Sequence, residues 1–89
     1  MKFEWDSQKS EANRLARGLD FVDAIPAFED ANRKIWEDNR ADYGEVRYNM
    51  LAQYNGRTFF VTFTLRNKVV RIISFRKANK RENVRYDQL

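Results

Sequence analysis

The chain has 89 residues, of which 43% are apolar and 34% are charged, and its formal net charge is +4. This length supports one packed domain, which we expect over residues 1–89. Cysteine and histidine are absent, which excludes disulfides, zinc–thiolate sites, thiol catalysis and imidazole proton transfer. No apolar run approaches the ~20 residues of a membrane span, and the N-terminus lacks a signal-peptide core, so we expect a cytoplasmic protein that makes no membrane contact.

The first third of the chain predicts a short strand followed by two helices. "KFEW" alternates in polarity, and one of the pair Asp6-Ser7 can cap a helix that runs to about Arg17 and stops at Gly18. Asp20 can cap a second helix, in which apolar residues recur at helical spacing. Pro26 lies inside that second helix and should kink or shorten it.

The rest of the chain predicts a sheet and a last helix. "RKIWED" predicts a strand, "NRADYG" an exposed loop, and "VRYNMLAQY" and "RTFFVTFTL" a hairpin joined at Asn55-Gly56. "VVRIISF" is apolar on both faces, so we expect it at the centre of the sheet with a helix over one side. Asn79 and Glu82 have capping-box spacing, which predicts a helix over 79–87. The fold class expected is α+β, with N-terminal helices and a C-terminal helix packed on an antiparallel meander sheet of three to five strands.

Positive charge is concentrated at the C-terminal end. Residues 1–65 hold nine Lys/Arg against eleven Asp/Glu (net −2), whereas residues 66–89 hold eight against two (net +6). One interpretation is a solvated tail that keeps the protein soluble. Because most of these cations lie in or beside predicted structure, a surface that binds a polyanion is the better interpretation. The cations that form this basic set are Arg71, Arg76, Lys77, Lys80, Arg81 and Arg85.

The environment of Arg71 is a particular question within this set. Strict alternation puts Arg71, Ile73, Phe75 and Lys77 on one face of the strand, and Val70, Ile72, Ser74 and Arg76 on the other. An arginine among Val and Ile must reach solvent or an anion, because an unpaired buried charge is costly. A carboxylate such as Glu37, Asp38 or Glu45 and an RNA phosphate are equally good partners for Arg71 alone. For the whole set a phosphate is favoured, since guanidinium forks bind phosphate and the N–H groups near 79–81 add to the site.

A second candidate region is the loop "EDNRADYGEVRY". Tyr43 can stack on a base, Glu45 can accept a proton, and Arg40 or Arg47 can neutralise developing charge. The alternative is a polar turn with surface ion pairs of little energetic worth. Taken alone, the loop does not favour catalysis over this alternative. The acids form no clear metal site, and the three glycines are too far apart for a phosphate-binding loop.

Three stretches, in this order, resemble the BrnT family of bacterial toxins: "FEWDSQKSEANRLARGLDF", "EDNRADYGEVRY" and "RIISFRKANKRENVRY". The resemblance covers nearly the whole chain. It implies a RelE-like fold, RNA cleavage that halts translation, and a hetero-oligomer with a cognate DNA-binding antitoxin of ribbon-helix-helix type. Family members usually carry Lys-His where this chain has Ala16-Arg17, so Arg17 stands in place of a histidine. Pro26 is a second departure from the family pattern.

The residues and the resemblance together predict a metal-independent endoribonuclease that needs no cofactor. RNA supplies its own nucleophile, the 2′-OH, so the expected products carry a 2′,3′-cyclic phosphate and a 5′-hydroxyl. The predicted catalytic residues are Arg71 and Arg76 for the transition state, Glu45 as base, and Arg40 and Arg47 to orient phosphate. The predicted RNA-binding residues are Arg17, Tyr43, Lys77, Lys80, Arg81 and Arg85. Two alternatives stay open: a non-catalytic toxin homologue that binds nucleic acid or antitoxin, and a structural subunit that docks on an acidic protein.

Overall fold

A computed structural model describes residues 1–88 and confirms the α+β class. Five strands and three helices follow one another along the chain. In chain order they are β1 (Lys2–Trp5), α1 (Ser7–Arg17), a 3₁₀ helix (Phe21–Glu29), β2 (Lys34–Glu37), β3 (Arg47–Tyr54), β4 (Arg57–Arg66), β5 (Val69–Lys77) and α2 (Lys80–Asp87). None of the helices within residues 1–88 is long and apolar enough to cross a membrane.

The five strands form one mixed sheet in the order β1-β5-β4-β3-β2. Strands β2 to β5 make the antiparallel meander that the sequence predicts, with Asn55-Gly56 as a two-residue turn in which both residues have positive φ. The expectation of a purely antiparallel sheet was wrong, because β1 pairs with β5 in parallel. The central strand is β4, and β5 has a partner on its outer side only from Val69 to Ile72.

Local signals set the two N-terminal helices. The Asp6 carboxylate accepts the first free N–H groups of α1, and Gly18 ends α1 with a left-handed φ of +73°. The second element is a 3₁₀ helix, not a second α-helix. Pro26 has no N–H to donate to Val22 and its ring crowds that carbonyl, which disfavours α-helical geometry here.

Two apolar clusters of unequal size lie on opposite faces of the sheet. The larger cluster lies beneath the 3₁₀ helix and includes Phe21, Ala24, Met50, Val61, Phe63, Ile72 and Phe75. The smaller cluster lies beneath α2, where Leu51, Phe60 and Tyr86 pack together with Trp36 and Ala78 at the margin. Since α2 covers only this part of its face, polar side chains occupy the remainder.

A β-bulge at Ile73 changes which side chains share a face. Thr62 faces Ser74 and Phe63 faces Ile72, so Ile73 has no partner on β4. The extra residue reverses the alternation of β5, because two residues on that strand now oppose one on its neighbour. The alternation predicted for 70–77 was therefore wrong, and Arg71 and Arg76 lie on the same face of the sheet.

Helix α2 is attached at both of its ends. At its start, Asn79 and Glu82 form the predicted capping box. Near its end, the Tyr86 hydroxyl donates to Asp30 Oδ2 (2.6 Å), and Lys34 Nζ donates to the carbonyls of Arg85 and Gln88. Burial raises the pKa of Tyr86 to about 12, and the hydrogen bond to Asp30 adds to this shift.

Candidate functional site

A row of polar residues crosses the open face of the sheet beyond α2. The strand register aligns Glu4, Arg71, Thr64 and Arg47 side by side on β1, β5, β4 and β3. We call these four residues the arginine row. Thr64 is buried, and its hydroxyl donates to the Val46 carbonyl (2.6 Å). Neighbouring strands lie ~4.8 Å apart, so the two arginine backbones are separated by about 10 Å and their long side chains can meet above Thr64.

Carboxylates already contact both arginines of the row. Arg71 Nη1 lies 2.7 Å from Glu4 Oε2, so the partner of Arg71 is none of the three acids considered from sequence. Arg47 Nε lies 3.5 Å from Glu45 Oε2, and the other carboxylate oxygen of Glu45 binds Arg66 (2.9 Å). Sequence reasoning missed Glu4 and Arg66. The alternation of "KFEW" could have located Glu4, since it lies opposite to the core-facing Phe3 and Trp5.

Glu45, the predicted base, lies between two guanidinium groups. Its hydrogen bond with Arg66 is the main cause that lowers the pKa of the Glu45 carboxyl below its usual value, and Arg47 contributes a smaller part. Glu45 is consequently ionised at neutral pH and is a weak proton acceptor while both arginines stay in place.

The loop that precedes β3 is anchored on Asp38. The Asp38 side chain is 2% exposed and binds Arg40 through two hydrogen bonds of 2.8 Å. The Tyr43 hydroxyl also donates to Asp38 (3.3 Å), and Arg47 Cζ lies 4.2 Å from the centre of the Tyr43 ring. Hydrogen bonds from Arg40 hold the pKa of the Asp38 carboxyl far below its usual range. The loop thus links Arg40, Tyr43 and Arg47 into one network.

Arg76 lies on the same face but belongs to a different group of contacts. It faces Phe60 across the β4–β5 ladder, four residues along β4 from Thr64, which corresponds to roughly 13 Å. Both of its terminal nitrogens bind Glu82 (2.7 and 2.9 Å), and its guanidinium carbon lies 4.3 Å from the Phe60 ring centre. The backbone N–H groups of Asn79 and Glu82 are bound within the capping box, so these two are not free for a phosphate.

The other predicted RNA-binding residues are spread over two helices and the end of β5. Arg85 stacks on Trp36, with 4.1 Å between its guanidinium carbon and the ring centre. Lys77, Lys80 and Arg81 are exposed and form no ion pair within residues 1–88. Arg17 is the last residue of α1, and no ion pair or side-chain hydrogen bond within residues 1–88 joins it to the arginine row. The described residues also contain no group of three or more carboxylates arranged to hold a metal ion.

A family model matches most of this chain. The model describes the ribonuclease toxin BrnT of type II toxin–antitoxin systems, and the match covers residues 5–82. The chain belongs to the BrnT family. The BrnT match includes three residues of the arginine row (Arg47, Thr64 and Arg71), the Asp38 loop and the start of α2. Membership of this family implies a protein antitoxin as partner. No curated protein matches the chain.

Proposed function

We propose that the protein is a metal-independent endoribonuclease toxin that acts in the cytoplasm and halts translation. In this proposal the 2′-OH of RNA attacks the adjacent phosphate, the P–O5′ bond breaks, and the products carry a 2′,3′-cyclic phosphate and a 5′-hydroxyl. A cognate antitoxin, of ribbon-helix-helix type by the resemblance described above, neutralises this activity. The observation that carries the proposal is the pair Arg47 and Arg71 on either side of Thr64.

The arginine row can bind phosphate if an RNA phosphate replaces the carboxylates that now contact Arg71 and Arg47. The two side chains of the Arg71–Glu4 pair are 27% and 42% exposed, and exposed ion pairs of this kind contribute only about 0–1 kcal/mol. A phosphodiester accepts the same guanidinium hydrogen bonds and can replace Glu4 and Glu45 at little cost. The phosphorane formed during attack carries more negative charge than the bound RNA, so contacts from Arg47 and Arg71 strengthen in the transition state.

Glu45 becomes a better base as RNA binds. When Arg47 turns to the phosphate, Glu45 loses one of the two guanidinium groups that lower its pKa. Its pKa then rises toward the usual value, while Arg66 keeps the carboxylate in position. In the proposal Glu45 takes the 2′-OH proton, and water protonates the departing 5′-oxygen.

Arg40 and Arg76 have structural contacts as well as their predicted roles. Arg40 binds Asp38 through Nε and Nη2, so its Nη1 is available to orient a phosphate while the loop stays anchored. Arg76 uses both terminal nitrogens on Glu82, which also closes the α2 capping box. For Arg76 to contact the transition state, it must first leave Glu82, so we expect its substitution to affect stability as well as cleavage.

The second candidate is a toxin homologue that binds RNA or antitoxin without cleavage. One observation favours it: each of the predicted catalytic arginines already contacts a carboxylate, and the chain has no histidine to replace them. Under this alternative the ion pairs stay in place and RNA binds only through the exposed cations of α2 and the end of β5.

Incubation with RNA in EDTA distinguishes the two candidates. The nuclease should produce fragments whose 5′-hydroxyl ends accept label from a polynucleotide kinase without prior phosphatase treatment, and DNA of the same sequence should stay intact. Arg71→Ala should slow the formation of these fragments by about 10²–10³. Arg14→Ala is the matched control, because Arg14 also pairs with a glutamate but lies on α1. Intact RNA together with salt-sensitive binding would support the binding module instead.

A further inference from the structure

A second group of aligned residues lies on the same face of the sheet, between the arginine row and the part that α2 covers. The strand register places these residues side by side on β2, β3, β4 and β5, and they are Trp36, Asn49, Thr62 and Ser74. We call this group the tryptophan patch. Asn49 lies two residues along β3 from Arg47, which corresponds to roughly 7 Å. One nucleotide can span this separation, so a phosphate bound at the arginine row can place its base over the tryptophan patch.

The indole of Trp36 carries a group that a base can replace. Trp36 packs in an edge-on arrangement against Phe60, with 5.8 Å between the ring centres, which holds the indole at the margin of the smaller apolar cluster. The guanidinium group of Arg85 lies over the indole, with its carbon 4.1 Å from the ring centre. No ion pair within residues 1–88 involves Arg85, so no carboxylate of the described chain fixes it there. Because a base stacks on an indole more strongly than an exposed cation does, a base can displace Arg85 or lie between the two.

Asn49, directly opposite Trp36, supplies a hydrogen-bond donor that the fold does not use. The residue is only 4% exposed, and the Thr62 hydroxyl donates to its Oδ1 (2.8 Å), which fixes the orientation of the amide. No hydrogen bond within residues 1–88 uses Asn49 Nδ2. No fully buried side-chain nitrogen or oxygen of these residues lacks a partner, so Nδ2 must reach the surface. The patch therefore presents a held amide N–H beside an aromatic ring.

We infer that the tryptophan patch binds one nucleobase of single-stranded RNA, with the base stacked on Trp36 and its edge toward Asn49 Nδ2. Paired residues on neighbouring strands have their Cβ atoms about 5 Å apart, so one base can contact both side chains. An N–H donor suits a carbonyl oxygen, which uracil carries at O4 and guanine at O6, whereas cytosine and adenine carry amino groups at these positions. The patch should therefore prefer uracil and guanine. This inference rests on the proposed function, because it takes the RNA phosphate to lie at the arginine row, but it concerns base binding and not the cleavage step.

Binding of octamers that cannot be cleaved tests the inference apart from the chemistry. The fluorescein-labelled probes are 2′-O-methyl oligouridine, 2′-O-methyl oligocytidine and an abasic tetrahydrofuran octamer, all of which lack the attacking hydroxyl. Fluorescence anisotropy should give about fivefold or more tighter binding for oligouridine than for the abasic octamer, because only the former can stack. Trp36→Leu should remove most of this difference, whereas Trp36→Phe keeps an aromatic ring and should retain most of it.

The matched control is an exposed aromatic residue on the opposite face of the sheet. Tyr54 is 41% exposed, and it alternates with Met50 and Ala52, which belong to the larger apolar cluster. Tyr54→Leu should therefore leave the affinities for the three octamers unchanged. A melting temperature for each variant verifies that it is folded.

Base preference tests the part that Asn49 plays. The unmodified protein should bind oligouridine about two- to tenfold more tightly than oligocytidine, which is the effect of one hydrogen bond. Asn49→Asp should reverse this order, because a carboxylate accepts a hydrogen bond from the amino group of cytosine. The ratio of the two affinities is the readout, since the added negative charge acts equally on both octamers.

The inference is wrong if oligouridine and the abasic octamer bind equally, or if Trp36→Leu changes binding no more than Tyr54→Leu does. Equal binding of oligouridine and oligocytidine would overturn the role of Asn49. Base-dependent binding through Trp36 by a protein that leaves ordinary RNA intact would overturn the proposed nuclease while supporting the tryptophan patch. Cleavage of RNA by a protein that binds all three octamers equally would do the reverse.

Discussion

The arginine row and the hairpin end of the sheet, where Arg57 begins β4 and Lys77 ends β5, differ in how positive charge is held. In the row, Arg71 pairs with Glu4, and Glu45 lies between Arg47 and Arg66. At the hairpin end, Arg57 and Lys77 have no such partner within the described residues. The difference teaches that paired cations are held in position but must exchange a carboxylate for a phosphate. Unpaired cations can bind a phosphate at once but are less precisely held.

The largest effect is expected from the row. Arg71→Ala should slow RNA cleavage by about 10²–10³, because it removes a charge that stabilises the phosphorane. The free energy of unfolding should change by no more than about 1 kcal/mol, since the Arg71–Glu4 pair is partly exposed. Single-turnover cleavage and urea denaturation measure the two quantities. If the Arg71→Ala protein cleaves RNA as fast as the protein that keeps Arg71, the arginine row is only a structural ion-pair network.

A second prediction concerns the loop that positions the row. Asp38→Ala should lower the free energy of unfolding by about 2–3 kcal/mol, because Arg40, Tyr43 and a backbone N–H lose their common acceptor. Glu37→Ala removes an exposed acid from the end of β2 and should have little effect. Equal destabilisation by the two variants would contradict a specific anchoring role for Asp38.

The same loop predicts how stability depends on pH. The folded pKa of Asp38 is depressed, so its stabilising contribution is present at neutral pH, above the unfolded value of ~3.9. This contribution is lost as pH falls below ~4 toward the folded pKa. Urea midpoints measured between neutral pH and about pH 3 should therefore fall more steeply for the unmodified protein than for Asp38→Ala. Parallel curves would show that Asp38 is not stabilised as an anion in the folded state.

A smaller effect should appear when the row is freed of a competing carboxylate. Glu4→Gln should bind 2′-O-methyl RNA about two- to fivefold more tightly, because a phosphate no longer has to displace Glu4 from Arg71. Glu11→Gln is the matched control, since Glu11 pairs with Arg14 on α1. Anisotropy at one fixed salt concentration measures both affinities. Unchanged or weaker binding by Glu4→Gln would mean that carboxylate exchange does not limit binding at the row.

The smallest effect concerns the attachment of α2 to the sheet. Tyr86→Phe keeps the buried ring but removes the hydroxyl that donates to Asp30, so the free energy of unfolding should fall by about 1 kcal/mol. Cleavage at the arginine row is not expected to respond. Thermal unfolding and single-turnover cleavage measure the two quantities. Unaltered stability would mean that Lys34 and the Tyr86 ring suffice to hold α2.

Features encoded over a few neighbouring residues could be predicted from sequence. The cap at Asp6, the stop at Gly18, the turn at Asn55-Gly56 and the capping box of α2 each depend on residues no more than four apart. The strands were predictable for the same reason, since their alternation is local. The family resemblance was confirmed by the family match over residues 5–82.

Features that join distant segments could not be predicted. The parallel pairing of β1 with β5 joins residues 67 apart, and nothing in either segment specifies its partner. Glu4 was missed as the partner of Arg71 because it lies on β1, and the pairing of β1 with β5 was not predicted. The bulge at Ile73 was also hidden, since a continuous apolar run has the same composition with or without one extra residue. As a result, residues 71 and 76 were assigned to opposite faces, and the arginines appeared more scattered than they are.

The unpaired residue of β5 also bears on how the gene can change. Loss of the single codon for Ile73 would leave a regular ladder, because Phe63 would still face Ile72 and Thr62 would still face Ser74. Phe75 would stay in the apolar interior and Arg76 would stay beside Phe60. This position is therefore a point at which β5 can lose one residue without inverting its surface.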